Sequence, residues 1–208
     1  MITKYNQYRN DFFNKLRVDF EKGKKILDVG CGDGSDAQVF RKSYGLDFYG
    51  IDIYKNPNIK KNKLNFKIGT IHKIPYKSEC FDYVYAHDVL HHIEEKNLSD
   101  NSILLGLKEL RRVCKKNGCI VIVEANRYNP LFYPHMVLMK KHNHLTKSRF
   151  KRLVKEEFKK DNILFKFFEA HLYPAKLIYI FKIYEYFAEK IFPKWPLAYN
   201  CAVIIKIS

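Results

Sequence analysis

Apolar and polar positions alternate along this 208-residue chain in two rhythms. Residues 5–22 set Tyr5, Tyr8, Phe12, Phe13, Leu16 and Phe20 three and four apart, which predicts an amphipathic helix with Gly23 as its C-cap. A short apolar run, Ile26-Leu27-Asp28-Val29, then meets Gly30, Gly32 and Gly34. That pattern predicts a buried strand running into a tight loop, with a helix opening at Ser35. The same alternation continues. Residues 35–44 read as a helix with Ala37, Val39 and Phe40 inward, and residues 48–53 as a strand whose end carries Asp52. Residues 56–63 read as a loop or short helix and residues 64–68 as a third strand. Residues 81–86 are apolar almost throughout and predict a fourth strand, buried on both faces. A helix over residues 101–115, a turn at Asn117-Gly118 and a fifth strand over 119–123, ending at Glu124, complete the series. Strands and helices that alternate in this way predict a parallel sheet with helices on both faces.

Beyond Glu124 the rhythm changes. Residues 126–136 read as a loop and short apolar helix, and Thr146 as the N-cap of a helix reaching Phe158. Residues 162–172 and 202–207 read as strands. Between them, residues 174–192 are mostly apolar and aromatic, and Lys182, Glu185 and Glu189 fall on one narrow stripe at helical spacing. Pro193 and Pro196 bracket Trp195. A helix this apolar needs cover over most of its surface. A lid on the sheet, a dimer interface or an interfacial membrane helix would each supply it; the internal charges argue against a membrane span.

Composition narrows the class. Hydrophobic residues at 47% and aromatics at 15% argue for a packed core rather than disorder. The length suits a single domain over 1–208, divided into an N-terminal helix (1–23), a core (24–125) and an acceptor-side region (126–208). Residues 1–10 are polar and lack a signal core, and the five cysteines form no CxxC pair. Both observations point to a cytoplasmic protein with reduced thiols and no zinc site. Net charge is +16, and residues 126–208 carry ten of those charges. Such a balance either reflects a Lys-rich proteome or marks an anionic partner: nucleic acid, acidic lipid or a phosphorylated substrate.

The glycines carry the candidate chemistry. Without a Cβ they let a ligand approach the backbone, and the following helix offers unpaired N–H groups. Asp28 and Asp33 make the loop a poor host for a pyrophosphate and a better one for a cationic ligand. Asp52, about twenty residues on at the tip of a second parallel strand, is placed to accept hydrogen bonds from ribose hydroxyls. Asp88, His91 and His92 fall at i, i+3 and i+4, a spacing that suits either a metal cluster or a packing feature; the expectation is no metal. His142 and His144 lack an evident third ligand. Any of His87, His91, His135, His142 or His144 could act as general base near neutrality.

These segments resemble a known family. The stretch from Ile26 to Gly34 looks like motif I of class I S-adenosylmethionine (SAM) dependent methyltransferases, and Tyr49-Gly50-Ile51-Asp52-Ile53 is similar to their second motif. Phe81-Asp82-Tyr83-Val84 through Val89-Leu90-His91-His92-Ile93 resembles the fourth-strand block of the type 11 subgroup, and residues 109–120 the block after it. The resemblance implies a Rossmann-like α/β fold. Its sheet would have seven strands, mostly parallel with the last antiparallel, and a lid-like helical insertion before that last strand. It implies SAM as cofactor and S-adenosylhomocysteine as product, with Asp28, Gly30, Cys31, Gly32, Asp33, Gly34, Asp52, Ile53, Thr70, Ile71 and His87 around the cofactor. Thr70 stands where the family usually has an acid, so Thr70 or the backbone would meet the adenine. Asn117-Gly118 replaces the usual Pro-Gly turn.

The expected function is methyl transfer to a small-molecule or lipid- or glycan-linked acceptor, at oxygen, with possible peripheral contact to an anionic membrane. An RNA methyltransferase and a non-catalytic SAM-binding partner are the alternatives, and a homodimer is compatible with either. Strand four lacks the Asn/Asp-Pro-Pro-aromatic pattern of exocyclic-amine methylation, which argues against RNA.

Overall fold

A computed structural model describes residues 4–93, 99–139, 143–171, 177–191 and 193–207. Its centre is a seven-stranded sheet in the order β3-β2-β1-β4-β5-β7-β6. The strands are β1 (Lys25–Val29), β2 (Asp47–Asp52), β3 (Asn65–Ile68), β4 (Phe81–His87), β5 (Cys114–Ala125), β6 (Asn162–Phe168) and β7 (Tyr199–Ile205). The first five run parallel, and β7 lies antiparallel between β5 and β6. This is the arrangement that the sequence predicts.

The helices are α1 (Lys4–Leu16), α2 (Ser35–Lys42), α3 (Pro57–Lys61), α4 (Asp100–Val113), α5 (Lys147–Glu157) and α6 (Ile178–Ile191), with a π-helical segment over Tyr133–Met139. Strand alternation sorts the core into two layers. Leu27, Val29, Val84, Ala86, Ile120 and Ile122 pack against α4 and α5. Ile26, Phe48, Tyr83, Tyr85, Val121 and Val123 pack against α1, α2 and α3. Burying each large apolar side chain contributes roughly 1.5–3 kcal/mol, so these two layers dominate stability. The sequence cues hold at α5, where the Thr146 hydroxyl accepts from the Arg149 N–H at 3.2 Å. Ser99 caps α4 in the same way.

Several expectations are corrected. The first helix stops at Leu16, not at residue 22, because Arg17 turns left-handed (φ 47°). Phe20 still packs, on Phe40, Tyr44 and Tyr83, from an irregular segment. Gly23 is therefore no helix cap; its N–H donates to the Gly45 carbonyl. Asn117-Gly118 lies inside a long, kinked β5 rather than before it. Gly118 has to be glycine, since a Cβ there would sit 2.8 Å from the Asp82 carbonyl oxygen. His91 and His92 belong to a single 3-10 turn, Leu90–His92.

The largest departure concerns α6. Its polar stripe faces the protein. Glu185 is buried, accepting from the His171 N–H at 2.9 Å and from Lys15 Nζ at 3.1 Å. Glu189 accepts from Lys15 at 2.7 Å, and Lys182 pairs with Asp11 at 2.7 Å. The apolar residues opposite are left facing outward. Residues 174–176 and 192 of the predicted insertion and residue 172 of the predicted strand before it lie outside the described residues, as does His142; the His135 side chain does too.

Candidate active site

The glycine loop closes the end of β1 over β2. The Gly30 and Cys31 N–H groups both donate to the Ile51 carbonyl, at 2.8 and 3.0 Å. Gly30, Gly32 and Gly34 all take positive φ, which L side chains adopt only with strain. A Cβ on Gly30 would lie 2.5 Å from Val89 Cγ2, and one on Gly34 2.4 Å from Leu64 Cδ1. The acids are engaged locally. Asp33 Oδ1 accepts from the Ser35 N–H at 2.9 Å, opening α2. Asp52 Oδ2 accepts from the Gly32 N–H at 2.8 Å, tying the tip of β2 to the loop.

Beside this loop lies a cavity of about 610 Å³. Of the residues expected around the cofactor, Gly30, Asp52, Ile53, Thr70 and Ile71 line it. Tyr54, His72, Asp88, Val89, His92 and Ile93 line it too. Ile53 is 70% exposed, an apolar side chain open to a planar ligand. The Thr70 hydroxyl accepts from the Lys73 N–H at 3.2 Å and keeps its own proton for donation.

The remaining predicted residues sit behind the loop, under α1. Asp28 is buried and shares the sheet face of Ile26. Burial pushes its carboxyl up to about 7, opposed by the electrostatic influence of nearby His87 and Arg9 and aided by Asp52. Tyr85 is its neighbour across the β1–β4 ladder, and among the described residues the buried Tyr85 hydroxyl has no hydrogen-bond partner. His87 stacks on Phe12, ring centroids 4.8 Å apart, with Asp36 3.7 Å from Nδ1 and Asp88 3.4 Å from Nε2. Arg9 pairs with Asp36. Cys31 turns its thiol into the core against Gly50, where burial, then Asp28 and Asp52, raise its pKa far above the ordinary thiol range. Its contribution to the loop comes from the backbone.

One residue that sequence reasoning left as a mere strand end proves central. Glu124 is fully buried. Its Oε1 accepts from the Val89 and Leu90 N–H groups at 2.8 and 2.6 Å, and its Oε2 lies 2.9 Å from His91 Nδ1. Burial alone would lower the His91 pKa, but the Glu124 carboxylate more than offsets it and the pKa rises. Asp88, at φ 54°, accepts from the Ala125 N–H through Oδ1. Asp88, His91 and Glu124 each bring a ligand-type atom within 4.8 Å of the others. Backbone and imidazole donors already engage both Glu124 oxygens, so the cluster works as a lock on the cavity wall. Of the three residues at that spacing, Asp88 and His91 gather on Glu124, while His92, its ring centroid 4.0 Å from that of His91, is exposed and lines the cavity. The available signal for Glu124 was a lone acid ending an apolar strand, which also fits a solvated tip.

A profile of the methyltransferase domain family matches residues 20–190. The chain belongs to this family, the class I SAM-dependent methyltransferases. The methyltransferase is 32% identical over 130 residues to an uncharacterized methyltransferase of Schizosaccharomyces pombe, covering 55% of this chain and 44% of that one. It is 29% identical over 127 residues to a sterol 24-C-methyltransferase of Gibberella zeae, covering 56% and 31%. It thus spans less than half the length of either curated relative. A SAM-dependent methyltransferase from Archaeoglobus fulgidus superposes with TM-score 0.68 at 17% identity, covering 98% of this chain and 95% of that one, a likeness of fold.

The site fits the cofactor of this family. The loop holds glycines where a Cβ would fill the cradle, and Asp52 stands at the tip of β2. The buried Asp28 carboxyl near the end of β1 and the Tyr85 phenol beside it on β4 are of the acceptor type that suits cationic groups.

Proposed function

We propose that this methyltransferase moves a methyl group from SAM to a small-molecule or lipid-linked acceptor. The cavity beside the glycine loop carries this reading: it joins the Asp52 side to a second wall built from Asp88, Val89, His92 and Ile93. When bound, SAM supplies a methyl group already activated on a sulfonium, so the protein's work is alignment and exclusion of water. In this reading Asp52 holds the ribose hydroxyls, Ile53 and Ile71 flank the adenine with Thr70 at its edge, and Asp28 faces the cationic groups. Val89, Ile71 and Ile93 keep water from the reacting atoms.

The acceptor's proton needs a base only where it is lost in the transfer. His91 is a poor candidate, because its imidazole is tied to Glu124 in a form that favours the bound proton. In this reading His92, which lines the cavity, takes the proton of a hydroxyl or an ammonium. The sterol relative is named for transfer to carbon, so oxygen is the expectation with least support among the comparisons.

Incubating the protein with methyl-labelled SAM and cell extract tests the reading. Label should enter the small-molecule or organic-extractable pool. Label confined to RNA, or none despite tight SAM binding, would overturn it.

A further inference from the structure

The orientation of α6 is inverted relative to an ordinary surface helix. Going round its axis at about 100° per residue, one half carries Tyr184, Ala188, Phe181, Glu185, Ile178, Glu189 and Lys182. This half packs on the protein, anchored by Lys15, Asp11 and the His171 N–H. The other half carries Tyr179, Ile180, Ile183, Tyr186, Phe187, Lys190 and Ile191. The six apolar and aromatic members are 52–70% exposed. Glu185 is buried, Lys182 and Glu189 pair with α1 at the edge of the contact, and the apolar half is left outside along about 21 Å of helix.

What would cover such a face is decided by charge. The chain carries +16, ten of it after residue 125, so a second copy would meet it with like charge. On the exposed half itself the charged residue is Lys190, whose ammonium stands 4.0 Å over the Tyr186 ring. Just beyond the helix come exposed Lys194 and Trp195. Lys194 belongs to a basic cluster with Lys147 and Lys151: the Lys147 pKa is lowered by burial first and then by these two neighbours. Exposed Tyr128 meets Trp195 with ring centroids 6.4 Å apart. Aromatic and aliphatic side chains beside lysines match the boundary between headgroups and acyl chains. Among the described residues no helix is long and apolar enough to cross a membrane. The fitting geometry is a helix lying in the membrane plane.

We infer that the outer face of α6, with Trp195 and the lysines beside it, is a docking surface for an anionic lipid bilayer. The inference rests on helix orientation and charge, independently of which acceptor is methylated.

Trp195 is the single tryptophan, which makes the test direct. The protein is mixed with vesicles of equimolar phosphatidylcholine and phosphatidylglycerol, or of phosphatidylcholine alone, and sedimented. The wild type should co-sediment with the anionic vesicles, less so as salt rises, and its emission should shift to the blue. Ile183→Glu with Phe187→Glu should weaken binding at least about tenfold with an unchanged thermal melt, since both side chains are exposed. Lys147→Glu with Lys194→Glu should remove the preference for anionic lipid. Failure of the wild type to sediment with either vesicle would overturn the inference, as would equal binding by the Ile183/Phe187 variant. So would a dimer in sedimentation equilibrium that the same variant dissolves, because a second copy would then be the occupant.

Discussion

The imidazole Nδ1 of His91 lies 2.9 Å from Glu124 Oε2, and both side chains are buried. The same carboxylate holds the Val89 and Leu90 N–H groups, and Val89 in turn presses on Gly30. An acid at the end of β5 thereby sets the position of the cofactor loop after β1. Removing one member of such a buried pair strands the other, at a cost of about 3–5 kcal/mol. His91→Ala should therefore lower stability by an amount in that range, read by denaturant titration.

The pair also makes stability depend on pH. The His91 pKa is raised in the folded state, against burial, by Glu124. Its contribution is then fully present below the unfolded value of about 6.5 and fades as pH rises through the raised folded value. Midpoints for urea unfolding should fall above about pH 6.5 in the wild type. Glu124→Gln should lack this component.

Asp28 has the opposite history with the same sign. Burial lifts its carboxyl from 3.8 to about 7, so between these values the folded chain holds a proton that the unfolded chain has released. Stability should fall as pH rises through that window, by on the order of 2–4 kcal/mol in all. Asp28→Asn should flatten this part of the profile while leaving the His91 component in place.

A cationic ligand beside Asp28 favours its charged form. SAM binding at pH 6.5 should release a proton, seen as calorimetric heats that differ between phosphate and Tris buffers. In Asp28→Asn the heats should agree between buffers and affinity should drop.

Asp52 is expected to hold the ribose. Asp52→Ala should weaken SAM binding by about 1–3 kcal/mol, partly through the ligand and partly through the lost Gly32 contact. Unchanged affinity in calorimetry would remove Asp52 from the site.

Gly30→Ala places a methyl group 2.5 Å from Val89 Cγ2 in a left-handed conformation. The conformation alone costs about 1–2 kcal/mol. SAM binding should be lost or strongly weakened, and adding Val89→Ala should restore part of it by relieving the clash but not the backbone strain.

Much of the donor half was legible without coordinates. The run from Ile26 to Gly34 specifies strand, loop and helix locally, because glycine placement and apolar alternation act within a few residues. The place of Asp52 at a strand tip follows from the same logic, and the fold brings Gly30, Asp52, Ile53, Thr70 and Ile71 to one cavity. The end of α1 escaped detection because Phe20 keeps the helical spacing and packs in the core without being helical.

The chain itself determines that residues 178–191 form a helix with one charged stripe, since periodicity is a local property. Which side of that helix meets water is not local. It depends on Lys15, 170 residues before Glu185, and on the His171 N–H at the end of β6. Glu124 is the same case: a strand-end acid in sequence becomes a buried lock only when β4 delivers Val89, Leu90 and His91 around it. A carboxylate's role is decided by the donors that surround it, and those donors are assembled by the fold.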